Sequence, residues 1–247
     1  LNLFIPDAKI GWLFSAVNIG KKVIRREQPS IIFSTSPPPT AHLIAKKLAE
    51  QTGLKWIADF RDPWTDIHYY ENQKRLSLSS MIDSKFEQNV LSKADKITCI
   101  SKYDITEDFG KKTDLNKCIN IPNGFDEDDF RDVKKNYFDR NVFTMLHLGA
   151  VNEERNPTGL FKAISNLKSS GFLESSIFRF YFVGNVQESI KSLTEELNIS
   201  DLVIFKEYLP HREALKFTEI ASLLVLLVTN SKKNKRILPG KTFEYLR

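Results

Sequence analysis

The stretch Val142-Phe-Thr-Met-Leu-His-Leu-Gly-Ala-Val-Asn-Glu-Glu-Arg-Asn-Pro157 decides the fold class. Val142–Leu148 is an apolar run without strict alternation, as expected of a strand covered on both faces. Gly149 ends it, and a polar turn leads to Pro157, placed to open a helix over Pro157–Lys168. Strand, turn and helix in that order make a βα unit. The same reading extends outward in both directions. Strands are predicted at Ser30–Ser34, Lys55–Asp59, Lys96–Ile100 and Lys117–Ile121 before it, and at Phe178–Val183, Leu202–Phe205 and Leu223–Val228 after it. Helices are predicted at Thr40–Gln51, Leu78–Lys93, Gln187–Leu197 and Arg212–Ile220. Thr40–Gln51 has Leu43, Ile44, Leu48 and Ala49 on one face and ends before Gly53. This alternation predicts α/β architecture with parallel sheets, eight strands falling into two groups of four. The stretch Asp126–Asn141 between the groups is rich in charge and poor in aliphatics. It suggests a first domain over residues 1–135 and a second over 136–247.

The 247 residues, 41% hydrophobic and 27% charged, suffice for two globular domains. A net charge of +5 suits phosphorylated substrates, anionic lipid or nucleic acid. No arginine-rich tract or zinc-finger spacing accompanies it, so nucleic acid is not an expected partner. Lys232, Lys233, Lys235 and Arg236 form the densest cluster, readable as a solvated loop or as a lure for a diphosphate or an anionic membrane surface. Cys99 and Cys118 read as buried free thiols rather than a disulfide framework. No stretch approaches the ~20 apolar residues of a membrane span. His42, His147 and His211 lack Cys, Asp or Glu at metal-ligand spacing, and His68 reads as solvated, so no metal site is expected. A hydrolase elbow and a complete phosphate loop are both absent.

In open parallel sheets, ligands bind beyond the carboxyl ends of the strands. Here the strand ends lead into Thr35-Ser-Pro-Pro-Pro-Thr40, Phe60-Arg-Asp-Pro-Trp64, Ser101, Pro122-Asn-Gly-Phe-Asp126, Gly149–Pro157 and Gly184-Asn185. So many polar, Gly- and Pro-rich turns mark a functional rim. Near the carboxyl end, Pro239-Gly-Lys-Thr-Phe-Glu-Tyr-Leu246 adds a glycine at a helix start, where backbone N–H groups can approach a phosphate. Lys241 supplies a mobile positive charge, and Glu244 a carboxylate one turn on.

These motifs, in this order and over nearly the whole chain, resemble glycosyltransferase family 4. The resemblance rests on Ser34-Thr-Ser-Pro-Pro-Pro-Thr40, Trp56–Trp64, Ile121–Asp126, Leu148-Gly149 with Arg155-Asn-Pro157, and Pro239–Leu246. It implies the GT-B fold: two Rossmann-like domains, the first meeting the acceptor and the second holding a nucleotide sugar. It further implies sugar transfer with retention and no metal cofactor. Gly149, Arg155, Gly240, Lys241 and Glu244 would bind the donor. Three departures stand out. Ala150 occupies a position where many members have Arg, and Arg236 stands where the first Glu of the E-x7-E pattern belongs. Arg61 and Asp62 replace a His often found near the reacting sugar. They are the catalytic candidates, or else a pair fixing the turn before Pro63. Ser36 and Thr40 either face the acceptor or cap a helix. Asn123 is a cleft candidate, with Gly124 beside it expected to take a positive φ at a hinge.

The resemblance also implies a glycan or lipid-linked acceptor, polysaccharide synthesis, and a cytoplasmic location with peripheral contact on the inner face of the membrane. It implies that both ends are cut and that the stretch alone is inactive. A non-catalytic sugar-nucleotide-binding subunit and a sugar-nucleotide epimerase are the competing readings.

Overall fold

Two four-stranded parallel sheets appear in a computed structural model that describes residues 4–65, 75–131, 133, 141–229 and 239–247. Each belongs to its own compact unit, the first ending at Asn123 and the second starting at Gly124.

In the first unit the elements run α1 (Leu13–Glu27), β1 (Ile31–Ser36), α2 (Thr40–Thr52), β2 (Lys55–Phe60), α3 (Ser77–Lys93), β3 (Lys96–Cys99) and β4 (Cys118–Asn120). The strands lie side by side in chain order. On β2 the alternate residues Trp56, Ala58 and Phe60 are buried, and they join Leu43, Val90, Leu91, Ile97 and Phe109 in one core. Fully burying a side chain such as Phe60 contributes about 1.5–3 kcal/mol. Gly53, at φ +73, ends α2 and returns its N–H to the Ala49 carbonyl at 2.9 Å. Ser101 accepts the Tyr103 N–H on its hydroxyl at 3.1 Å. Beyond it the chain forms a π-type turn (Asp104–Asp108) and 3-10 turns instead of a regular helix.

Helix α1 was not among the elements predicted, although its residues are amphipathic at helical period. Its only buried residue is Val17, and Gly20 and Lys21 interrupt the apolar stripe. It is held by packing on α2, where Gly20 lies so close that a Cβ would meet Leu48 Cδ1 at 2.8 Å.

The second unit contains β5 (Phe143–Leu148), α4 (Thr158–Ser169), β6 (Phe178–Val183), α5 (Glu188–Glu196), β7 (Val203–Lys206), α6 (His211–Leu215), β8 (Leu223–Leu224) and α7 (Lys241–Leu246). Its strand order is β7-β6-β5-β8. The chain therefore winds outward from β5 in one direction and then crosses to its other side. That reversal is the topological switch point, the place where open parallel sheets commonly take ligands. Met145, Phe161, Phe180, Phe182 and Ile190 pack together in one core cluster, and Phe130, Leu146, Leu148 and Leu215 in another. Because Phe130 packs there, the charged stretch 126–141 begins inside the second unit.

Several local expectations are corrected. Gly124 does not take a positive φ, and a Cβ there would meet nothing within 4 Å. Cys118 is half-buried rather than buried. Strand β8 stops at Leu224, and the helix expected through Ile220 becomes 3-10 after Leu215. Pro157 caps α4 instead of starting it. Among the described residues, no helix is long and apolar enough to cross a membrane.

Candidate functional site

At the carboxyl end of β5, Gly149 takes φ +120, a conformation side chains rarely adopt, and donates its N–H to the Val183 carbonyl at 2.8 Å. Gly184, ending β6, takes φ +138, and a Cβ there would lie 2.7 Å from the Gly149 carbonyl carbon and oxygen. Two glycine turns thus pass at a separation no side chain permits. Beyond them the two loops stay paired. Val151 donates to the Asn185 carbonyl at 3.0 Å, and Gln187 N–H donates to the Val151 carbonyl at 3.1 Å. The Glu153 N–H donates to the Gln187 side-chain oxygen at 3.0 Å, and Ser189 donates its hydroxyl to the Glu153 carboxylate. Asn156 Oδ1 receives the Thr158 N–H at 2.9 Å, fixing the entry to α4. Arg155, in a 3-10 turn of this loop, is left exposed.

Helix α7 is tied to the same place. The Tyr245 phenol oxygen accepts the N–H of Leu148, the last residue of β5, at 2.9 Å. One turn earlier, the Lys241 ammonium lies over Gly149, where a Cβ would overlap Nζ. Burial holds the Lys241 pKa below its ordinary value, and the positive charge of Arg155 lowers it further, against a smaller opposing pull from Glu244. Arg155 and Lys241 thus lie near enough for their positive charges to act on each other. Like charges held together in this way are suited to meet an anion.

Beneath them, His147 is 2% exposed. Its Nδ1 lies 2.9 Å from the Val225 carbonyl, which can only accept, so the ring carries its proton on Nδ1 and a lone pair on Nε2. Burial, aided by Lys241 and Arg155, brings its pKa down to about 4. The buried Nε2 has no protein hydrogen-bond partner, and neither has the buried Thr242 hydroxyl.

Glu244 Oε1 lies 3.4 Å from His211 Nε2, which is also 3.5 Å from Asp129 Oδ2. Sequence spacing gave His211 no acidic neighbour; folding brings two. Among the described residues, no group of His, Cys, Asp and Glu is arranged to hold a metal ion. Gly240 is helical, at φ −54 and ψ −35, and a Cβ there would meet nothing within 4 Å. Its surroundings are open rather than strained.

In the first unit, the candidates follow β1 and β2. The Arg61 N–H donates to the Ser36 carbonyl at 3.2 Å, so the two turns adjoin. Arg61 is exposed, Asp62 and Asn123 are half-buried, and Ser36 is buried. Thr40 is buried and gives both its N–H and its hydroxyl to Asp7 Oδ2, each at 2.8 Å, which caps α2.

Sequence reasoning missed what holds this turn. Trp64 donates its indole N–H to Asp83 at 2.7 Å, and Arg75 pairs with the same carboxylate at 2.8 Å. Thr65 donates its hydroxyl to Glu87 at 2.6 Å, and Lys112 donates to that carboxylate at 2.8 Å. Asp83 and Glu87 are 0% and 1% exposed. The available signal was two acids four residues apart on a helix needed to cover a sheet. His68, Lys232, Lys233, Lys235 and Arg236 lie outside the described residues.

No family model matches the sequence. No curated protein matches it either. Solved structures do. A sucrose-phosphate synthase from Thermosynechococcus elongatus aligns with a TM-score of 0.62 at 15% identity, over 90% of this chain and 56% of that one. Anabaena HepE, in complex with UDP and glucose, aligns with a TM-score of 0.60 at 14% identity, over 92% and 59%. The lipopolysaccharide outer core galactosyltransferase WaaB aligns with a TM-score of 0.56 at 12% identity, over 87% and 54%. The chain thus spans little more than half the length of these neighbours. Likeness at such identity is likeness of fold: two Rossmann-like units, each a parallel sheet flanked by helices, as in the GT-B glycosyltransferases.

Proposed function

We propose that this chain forms the framework of a nucleotide-sugar-dependent glycosyltransferase of the family 4 type. The observation that carries the reading is the Lys241 ammonium above Gly149 at the switch point, with the Arg155 charge acting on that ammonium. A departing nucleoside diphosphate gains negative charge as its bond to the sugar breaks. Cations already in place stabilise that charge without reorganising. Arg155 and Lys241 meet the diphosphate, with no metal in the reaction. Gly149 and Gly240 keep side chains out of the ligand's way. Glu244 accepts hydrogen bonds from ribose hydroxyls.

The acceptor oxygen forms the new bond to the anomeric carbon on the face the leaving oxygen vacates, giving retention. Its proton passes to the diphosphate. Arg61 and Asp62 are the catalytic proposals in the first unit: Asp62 orients the acceptor hydroxyl and Arg61 meets phosphate. Ser36 and Asn123 lie on the acceptor side. HepE with UDP and glucose, and WaaB as a galactosyltransferase, support a UDP-hexose donor. The acceptor is a glycan or a lipid-linked glycan in polysaccharide synthesis at the cytoplasmic face.

The test is calorimetric titration of the full-length protein with UDP and UDP-hexoses, followed by a radiolabelled transfer assay. Binding with transfer supports the reading. Binding without transfer or hydrolysis makes the protein a partner subunit. Interconversion of donors with no acceptor added makes it an epimerase.

A further inference from the structure

Three elements of the second unit meet at His211, which follows Pro210 and opens α6. Its Nε2 lies 3.4 Å from Glu244 Oε1 on α7 and 3.5 Å from Asp129 Oδ2 in the 3-10 turn Glu127–Phe130. Both separations exceed an ordinary hydrogen bond, so the nitrogen is shared between two acids rather than committed to one. A lone pair facing two carboxylates would be repelled, so Nε2 carries a proton. The adjoining Arg212 takes the other oxygen of Asp129, its Nε lying 3.3 Å from Oδ1. The row Arg212, Asp129, His211, Glu244 thus alternates base with acid. The nearby Glu127 is held by Arg247 at 3.1 Å and does not compete for the imidazole. Each element has its own anchor. Leu215 of α6 and Phe130 of the turn are buried in one core cluster, and Tyr245, beside Glu244, is fixed by the Leu148 N–H. Among the described residues, none hydrogen-bonds to Glu244 Oε2, so the carboxylate is steered from Oε1 alone.

We infer that His211 is a positioning residue for nucleotide binding: it holds Glu244 so that the carboxylate meets the ribose hydroxyls, and Asp129 in turn holds the imidazole. The inference rests on the proposed role of Glu244 and extends it to two residues that touch no ligand themselves. A carboxylate takes two neighbouring hydroxyls best when its rotation is already fixed, because ordering a long side chain on binding costs affinity. Removing His211 would free Glu244 and leave it facing a like charge on Asp129, which turns the carboxylate away. Lys241, one turn earlier on the same helix, serves the phosphates, so loss of His211 acts on the ribose end of the nucleotide.

The test is calorimetric titration of the full-length protein with UDP and with its dideoxyribose analogue, which lacks both ribose hydroxyls. His211→Ala should lower UDP affinity about fivefold, the worth of one hydrogen bond, and leave affinity for the analogue unchanged. A residue that merely supported the fold would weaken both alike. His211→Gln places an amide N–H close to the position of Nε2 and should restore most of the UDP affinity. Asp129→Asn should give a smaller loss, again confined to UDP. In Glu244→Ala, replacing His211 should cost nothing further. His211 is exposed, so its variants should melt as the parent does. The inference is overturned if His211→Ala binds UDP as the parent does, loses both nucleotides equally, or adds its loss to that of Glu244→Ala. Any of these leaves the role of Glu244 standing. A parent protein that ignores UDP, or binds the two nucleotides equally, overturns that role and the inference with it.

Discussion

The ammonium of Lys241 occupies the space into which a side chain at Gly149 would grow. These residues are far apart in sequence, yet α7 is fastened by Tyr245 to the N–H of Leu148, directly before that glycine. The strand that ends in Gly149 and the helix that brings Lys241 are thus joined directly, and the proposed anion site lies at their junction.

Lys241→Ala is expected to lower UDP affinity at least tenfold, about 1.4 kcal/mol, while leaving the unfolding midpoint unchanged. Gly149→Ala should lower both, because φ +120 strains any side chain and Nζ must move; the strain alone costs about 1–3 kcal/mol. Calorimetric titration and urea denaturation separate the effects. Full UDP affinity in Lys241→Ala would sink the anion site.

Gly184→Ala and Gly240→Ala should part company. The first forces a Cβ to 2.7 Å from the Gly149 backbone at φ +138, for a loss of about 3 kcal/mol. The second finds helical backbone and open space, so stability should change by less than about 1 kcal/mol. If Gly240 serves close approach to a ligand, its variant loses nucleotide affinity while melting normally. Thermal melts with and without UDP check both.

Asp83→Ala removes the acceptor of the buried Trp64 indole and the partner of Arg75. A loss of about 3 kcal/mol is expected, with Trp64 emission shifted to the red as the turn loosens. Asp83→Asn keeps an acceptor for the indole and should cost less. Equal, small effects in urea titrations would show that this carboxylate does not hold the turn.

Acid should destabilise both units through buried histidines. Burial lowers the pKa of His42 to about 3 and that of His147 to about 4, both below the ordinary 6.5. A depressed folded pKa means stability that is complete above pH 6.5 and lost as pH falls toward the folded value. For His147 the loss is about 3 kcal/mol. His147→Asn keeps a donor for the Val225 carbonyl and should flatten the acid limb of the second unit's stability. Urea midpoints across that pH range measure it, and an unchanged slope would contradict the assignment.

At the alkaline end, burial raises the Tyr245 pKa from 10.0 to about 12. The folded state therefore holds its phenol proton longer than the unfolded chain, and stability falls as pH rises between those values. Tyr245→Phe should remove that slope and cost about 1–3 kcal/mol at neutral pH, because the Leu148 N–H loses its acceptor. Unfolding at pH 8 and above provides the check.

The eight strands and the α/β class were legible because local pattern suffices for them. Val142–Leu148 and Phe178–Val183 are mostly apolar, broken only by Thr144 and His147 in the first and Arg179 in the second, and each is followed by glycine and a helical period. Not every element was predicted. Helix α1 is amphipathic but buries only Val17, and it packs on Leu48 of another helix. The carboxylates Asp83 and Glu87 look like an ordinary polar helix face until the turn bearing Trp64 and Thr65 folds onto them.

The candidate site divides the same way. Sequence alone determined which residue types stand in the loop after β5, Gly149 and Arg155, and at the start of α7, Gly240, Lys241 and Glu244, where an anion could be met. Backbone preference and hydrophobic period act over a few neighbouring residues, so they are written locally. Only the tertiary structure decided that Lys241 stands over Gly149, that the charge of Arg155 acts on Lys241, and that Glu244 meets His211. Those relationships come from strand crossing and helix docking, which join residues far apart in the chain, and charge acts through the distance that folding sets.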